Sequence, residues 1–157
     1  MTDTTTPKRR STAAKEAVPF TEEERAAMQE RAREVKAEKR RASGGTKADP
    51  EVEVLAKIAD MGPADRALAE TVHRIVRENA PHLTPRLWYG MPAYAKDGKV
   101  LCFFKAAEKF SGRYATLGFE DPAQLDDGAM WPTVFALTTP TPADEERIAE
   151  LVRRAAG

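Results

Sequence analysis

Cys102, His73 and His82 carry the side chains best suited to nucleophilic or metal chemistry in this chain. Cys102 lies in the apolar run Val100-Leu101-Cys102-Phe103-Phe104. A thiol in such surroundings stays protonated and acts as a core side chain, not a nucleophile. His73 follows Val72 at what reads as the margin of an apolar helix face, a boundary or surface position. His82 falls in a loop between Pro81 and Pro85. Two histidines and one thiol do not supply the four N/S ligands of a tetrahedral zinc site. There is no Gly-rich phosphate loop, no strand–GxGxxG–helix unit and no GxSxG elbow. No nucleophile–base pair emerges, so these residues point to binding rather than catalysis.

Two further groups could bind. The first is acidic. Asp126 and Asp127 share a loop, Asp144, Glu145 and Glu146 open the last helix, and Glu22, Glu23 and Glu24 open the first. Acids at helix starts complement the macrodipole. Their functional reading is a weak surface site for a hard cation such as iron, formed by Asp126, Asp127, Asp144 and Glu145. The second group is aromatic. Most of it must fill the core of so small a domain. Trp88, Met91, Tyr94, Phe103 and Tyr114 are the candidates for a ligand or partner face, with Lys105 and Arg113 at its rim.

Charge divides the chain that positions these residues. Residues 1–48 hold 12 Lys/Arg against 8 Asp/Glu, a net of +4. Residues 49–157 hold 13 against 17, a net of −4. A basic leader thus precedes an acidic body, which argues against nucleic acid on the body and leaves it open for the leader. The single cysteine excludes an internal disulfide and suits a reducing cytosol. No stretch reaches the length of a membrane span, and the N-terminus lacks the apolar segment of a secretion signal. The expected location is the cytoplasm, as a monomer or a homodimer.

The pattern predicts three regions. Residues 1–20 form a polar tail read as disordered, and residues 21–48 a charged helix with a Gly-containing linker. Residues 49–157 form the folded domain. Thr21 and Glu24 make a capping box for the first helix, whose thin apolar stripe is Met28, Ala32 and Val35. That stripe suits a solvated helix lying on the domain, or one that docks a partner or nucleic acid. Asp49-Pro50 starts a second helix, with Val52, Leu55, Ala56 and Ile58 turned inward. A third runs to about Asn79, with Leu68, Val72, Ile75 and Val76 on one face.

Strands follow over about 86–89, around Ala93–Ala95, 100–104, 113–119 and 133–138, before a last helix capped at Thr141-Pro142. Ile148, Leu151, Val152 and Ala155 form its apolar face. Lys96-Asp97-Gly98-Lys99 signals a two-residue hairpin turn. A regular ladder would then set Ala95 opposite Val100, Tyr94 opposite Leu101 and Ala93 opposite Cys102. Tyr94, Leu101 and Phe103 would share the open face, and Ala93, Ala95, Val100, Cys102 and Phe104 the helix side. The fold class is α+β, a two-layer sandwich. An antiparallel sheet of four or five strands packs against helices from both ends of the domain, with an extra N-terminal helix.

Trp88-Tyr89-Gly90-Met91-Pro92-Ala93-Tyr94, the Asp97-Gly98 hairpin and Val100–Phe104 together resemble the YdhG-like family of bacterial domains of unknown function. The resemblance spans most of residues 50–156. It implies an α+β sandwich with an antiparallel sheet. One member of the wider group is described as a frataxin-like iron chaperone, so the resemblance also implies iron binding through surface carboxylates. Gly90 and Pro92 read as fixing a strand crossing, with Met91 plugging the core or flooring a cleft. The leading expectation is a non-enzymatic small-ligand or protein-binding domain. Iron delivery, or partner or nucleic-acid binding through the basic helix, are the alternatives.

Overall fold

The structure, a computed structural model, describes residues 19–42 and 49–157. Most of the expected tail, and the linker before residue 49, lie outside the described residues. The order is α1 (Glu22–Ala42), α2 (Pro50–Ala59), α3 (Pro63–Asn79), β1 (Thr84–Trp88), β2 (Met91–Lys96), β3 (Lys99–Lys105), β4 (Ala115–Phe119), β5 (Val134–Leu137) and α4 (Pro142–Ala156). The strands form one antiparallel sheet in the order β1-β2-β3-β4-β5. The fold is the expected α+β sandwich.

Local chemistry sets the helix starts. Thr21 and Glu24 exchange the two hydrogen bonds of a capping box, at 2.8 and 3.2 Å. Asp49 accepts from the Glu51 N–H at 3.0 Å, with Pro50 at the first helical position. Thr141 and Asp144 repeat the box at α4. The core lies between the helices and one sheet face. It joins Val54 and Ile58 of α2, Val72, Ile75 and Val76 of α3, and Ile148 and Val152 of α4 to Tyr94, Phe104 and Leu117.

Three expectations are corrected. In α2, Val54 and Ile58 point inward, whereas Val52 and Leu55 are 60% and 47% exposed. The helix is rotated because Glu51 also turns in, towards His73 and Arg77, each at 3.1 Å. The segment Tyr89-Gly90 is not a strand crossing. It is a second two-residue hairpin turn, with Trp88 paired to Met91. Both turn residues have positive φ, 52° and 73°, as a type I′ turn requires. Pro92 then precedes the β2–β3 pairing, which begins at Ala93, so its missing N–H costs that ladder nothing.

The third correction concerns register. The Asp97-Gly98 turn forms as expected, and Ala95 pairs with Val100. The ladder then shifts: Tyr94 pairs with Cys102 and Ala93 with Phe103. Leu101 is the extra residue of a β-bulge. Tyr94, Leu101, Cys102 and Phe104 therefore all enter the core, and Phe103 joins Ala93 on the opposite face. A regular alternation had placed Tyr94 and Leu101 on the open side.

On that outer face Phe103 lies over Gly118, its cross-strand partner, and against Trp88, with ring centroids 5.3 Å apart. A Cβ at Gly118 would collide with three atoms of the Phe103 ring. Gly118→Ala should destabilise the protein by about 1–3 kcal/mol, read as a lower urea midpoint at unchanged slope.

Candidate functional site

The five aromatic-face candidates do not converge. Trp88 and Phe103 meet on the outer face. Tyr94 is fully buried on the opposite, helix-facing side. Tyr114 is exposed beneath the Arg113 guanidinium, 5.1 Å from the ring centre. Met91 lines the cleft with the most apolar walls, whereas Trp88 and Tyr114 each line a separate, more polar one. The carboxylate candidates are also dispersed. Asp144 is taken up by the Thr141 cap, which holds its carboxyl below the ordinary range. Glu145 pairs with Arg74 at 3.4 Å, and Asp126 and Asp127 sit exposed in their loop. Among the described residues no three His, Cys, Asp or Glu side chains gather as a metal site.

His73 is buried, not at the boundary. Its Nδ1 lies 2.9 Å from the Tyr94 hydroxyl and its Nε2 3.1 Å from Glu51. A carboxylate only accepts, so Nε2–H donates to Glu51 and the Tyr94 O–H donates to Nδ1. Burial pushes the His73 pKa below its ordinary value, against the opposing pull of Glu51. Burial also drives the Tyr94 phenol far upward. Cys102, expected to be an inert core thiol, is buried and its pKa is pushed up to about 12. Glu51, His73 and Tyr94 line none of the clefts described here, and this chain of hydrogen bonds is structural.

The most apolar cleft has a volume of about 280 Å³, comparable with its more polar neighbours. Three segments build it. The α2–α3 turn contributes Met61 and Gly62, the β1–β2 turn Gly90 and Met91, and the loop after β3 Lys109 and Phe110. Asp65, in the first turn of α3, fixes that loop by accepting the Ala107 and Glu108 N–H groups at 3.1 and 3.0 Å. Phe104 and Pro92 add to the apolar lining, and its charged wall sets Lys57 and Lys109 beside Asp60, Asp65 and Glu108.

Helix α1 closes over the same rim by charge. Glu30 bridges Lys57 at 3.0 Å and Lys109 at 2.5 Å. Burial raises the Glu30 pKa, but hydrogen bonds and attraction from the two lysines outweigh it, and the carboxyl lies below its ordinary value. One turn on, Glu34 accepts the Gly90 N–H at 2.7 Å and the Tyr89 N–H at 2.9 Å. Glu38 pairs with Arg86, and Glu23 accepts from the Ser111 hydroxyl at 2.5 Å. The thin apolar stripe is only partly covered, as its size implied: Met28 and Ala32 are exposed and Val35 is half-buried. Glu23, Glu30, Glu34 and Glu38 face the body, and Arg25, Arg33, Lys36 and Lys39 face outward. The sequence holds this signal as Glu23, Ala27, Glu30, Glu34 and Glu38 at helical spacing. Lys57 and Lys109 carry no local signal, because only the fold brings them together.

No helix among the described residues is long and apolar enough to cross a membrane. Comparison with family models, curated proteins and solved structures finds no match to this chain.

Two outcomes test the buried hydrogen-bonded chain. Tyr94→Phe leaves His73 Nδ1 without its donor and should cost about 1–3 kcal/mol in urea unfolding. The unfolded chain protonates His73 near pH 6.5, and the folded chain only at lower pH. The unfolded state therefore binds more protons in that window, and stability falls as the pH drops below 6.5. The urea midpoint should decline on acidification through this window, and less steeply in His73→Gln.

Proposed function

We propose that the protein is a non-enzymatic binding domain that takes a small, largely apolar organic molecule into the cleft between the α2–α3 turn, the β1–β2 turn and the loop after β3. The observation that carries this reading is the cleft itself: about 280 Å³, lined by Met61, Met91, Pro92, Phe104 and Phe110. Binding sites of this kind combine apolar walls with a few convergent polar groups. Methionine suits such a floor because its flexible thioether adapts to ligand shape.

Binding is favoured over catalysis because the cleft presents no nucleophile–base pair: Asp60 and Glu108 add only carboxylates to its lining, and its other polar side chains are engaged. Both Asp65 oxygens hold backbone N–H groups, and both lysines hold Glu30. The YdhG-like affiliation belongs to the same proposal. A relative carrying the Tyr-Gly-Met-Pro turn would carry this wall of the cleft.

Octanol is a suitable neutral probe. It should bind with a Kd of about 1 mM or tighter, equivalent to roughly −4 kcal/mol. In ¹H–¹⁵N NMR of the full chain it should shift the Met61, Met91 and Phe110 amides. Met61→Trp, which fills the cleft, should abolish those shifts. Shifts elsewhere, or none in these amides, would overturn the assignment.

A further inference from the structure

The rim of the cleft carries two sets of anion-binding donors, and each holds a carboxylate of α1. Lys57 and Lys109 converge on Glu30. The N–H groups of Tyr89 and Gly90 both donate to Glu34, one to each carboxylate oxygen. Successive N–H groups in a left-handed turn form a concavity that receives anions. Gly90 is favoured there by its φ of 73°, and a Cβ would also displace the ends of the Glu30 and Lys109 side chains. Lys109 is held further by the Gly90 carbonyl at 3.5 Å and the Phe110 ring at 5.5 Å. The body bears a net charge of −4 and Asp60, Asp65 and Glu108 share the cleft lining, so Lys57 and Lys109 are the cations an anionic head group would have to meet.

Glu30 and Glu34 lie one turn apart on a helix whose covered side carries, besides polar and small residues, only the half-buried Val35. Lys57 and Lys109 belong both to the cleft wall and to this rim. Glu30 itself does not line the cleft. A neutral molecule can therefore enter with α1 in place, whereas an acid must compete with Glu30 for the lysines.

We propose that the ligand of this cleft is an organic acid with an apolar body and a carboxylate head, and that α1 is an internal competitor whose Glu30 and Glu34 occupy the head-group donors until the ligand displaces them. The inference rests on the cleft reading above and adds the ligand's charge and the role of the helix. An internal competitor lowers apparent affinity by the fraction of molecules in which it is released.

Octanoate and octanol, titrated into the full-length wild type and Glu30→Ala/Glu34→Ala, form the test. Octanol should bind both proteins alike, which also reports that the variant is folded. Octanoate should bind the variant about tenfold more tightly than the wild type. Adding Lys57→Ala/Lys109→Ala should remove that gain. In the wild type, octanoate should shift the Tyr89 and Gly90 amides as Glu34 leaves them. Equal octanoate affinity for wild type and variant would overturn the internal competition. A gain that survives loss of both lysines would overturn the head-group site. Failure of octanol in every protein would instead remove the cleft reading itself.

Discussion

The extra residue that β3 inserts at Leu101 governs which side of the sheet its neighbours face. Without it, Tyr94 would stand opposite Leu101 and lie on the outer face. With it, Tyr94 pairs with Cys102, and both reach the helices. The Tyr94 hydroxyl then needs a buried partner, which His73 supplies. His73 needs one in turn, and Glu51 reaches in from α2. The rotation of α2 that turns Glu51 and Val54 inward also turns Val52 and Leu55 out. The orientation of α2 is thus matched to the register of one strand.

The cleft depends on that arrangement. The α2–α3 turn sits where α2 ends, and Asp65 at the start of α3 fastens the loop carrying Lys109 and Phe110. The tight Tyr89-Gly90 turn completes the opening and leaves two N–H groups directed away from the sheet, where Glu34 meets them. The sheet itself supplies little to the site beyond Met91, Pro92 and Phe104.

Much of the scaffold was legible in the sequence. Thr21, Asp49 and Thr141 marked helix starts by side-chain chemistry that acts over three residues, and Asp97-Gly98 marked a turn by its tolerance of positive φ. The bulge was not legible. A period-2 pattern records which face is apolar, and Val100 to Phe104 is apolar throughout, so nothing local separates one register from the next. Tyr94 accordingly read as a pocket residue. Gly90 was legible as a position of special backbone geometry, but Tyr89 read as strand and Met91-Pro92 as the end of one strand rather than the start of the next. In the cleft, Met91 was named from sequence. The lysines were missed, being 52 residues apart in the chain. The inward acids of α1 were not legible because charge covers most faces of this helix, and only the fold shows which acids meet Lys57, Lys109 and the Tyr89-Gly90 turn.

That manner of packing has a thermodynamic consequence. Residues that seat α1 on the body are chiefly carboxylates, lysines and turn N–H groups, all readily hydrated. Lifting such a helix wets little apolar surface. Its release would carry a small heat-capacity change, unlike unfolding of the core. Docking of α1 would also weaken with added salt while the core beneath held firm. The helix is attached as a separable layer, with its own response to ionic strength, on a domain whose cohesion is hydrophobic.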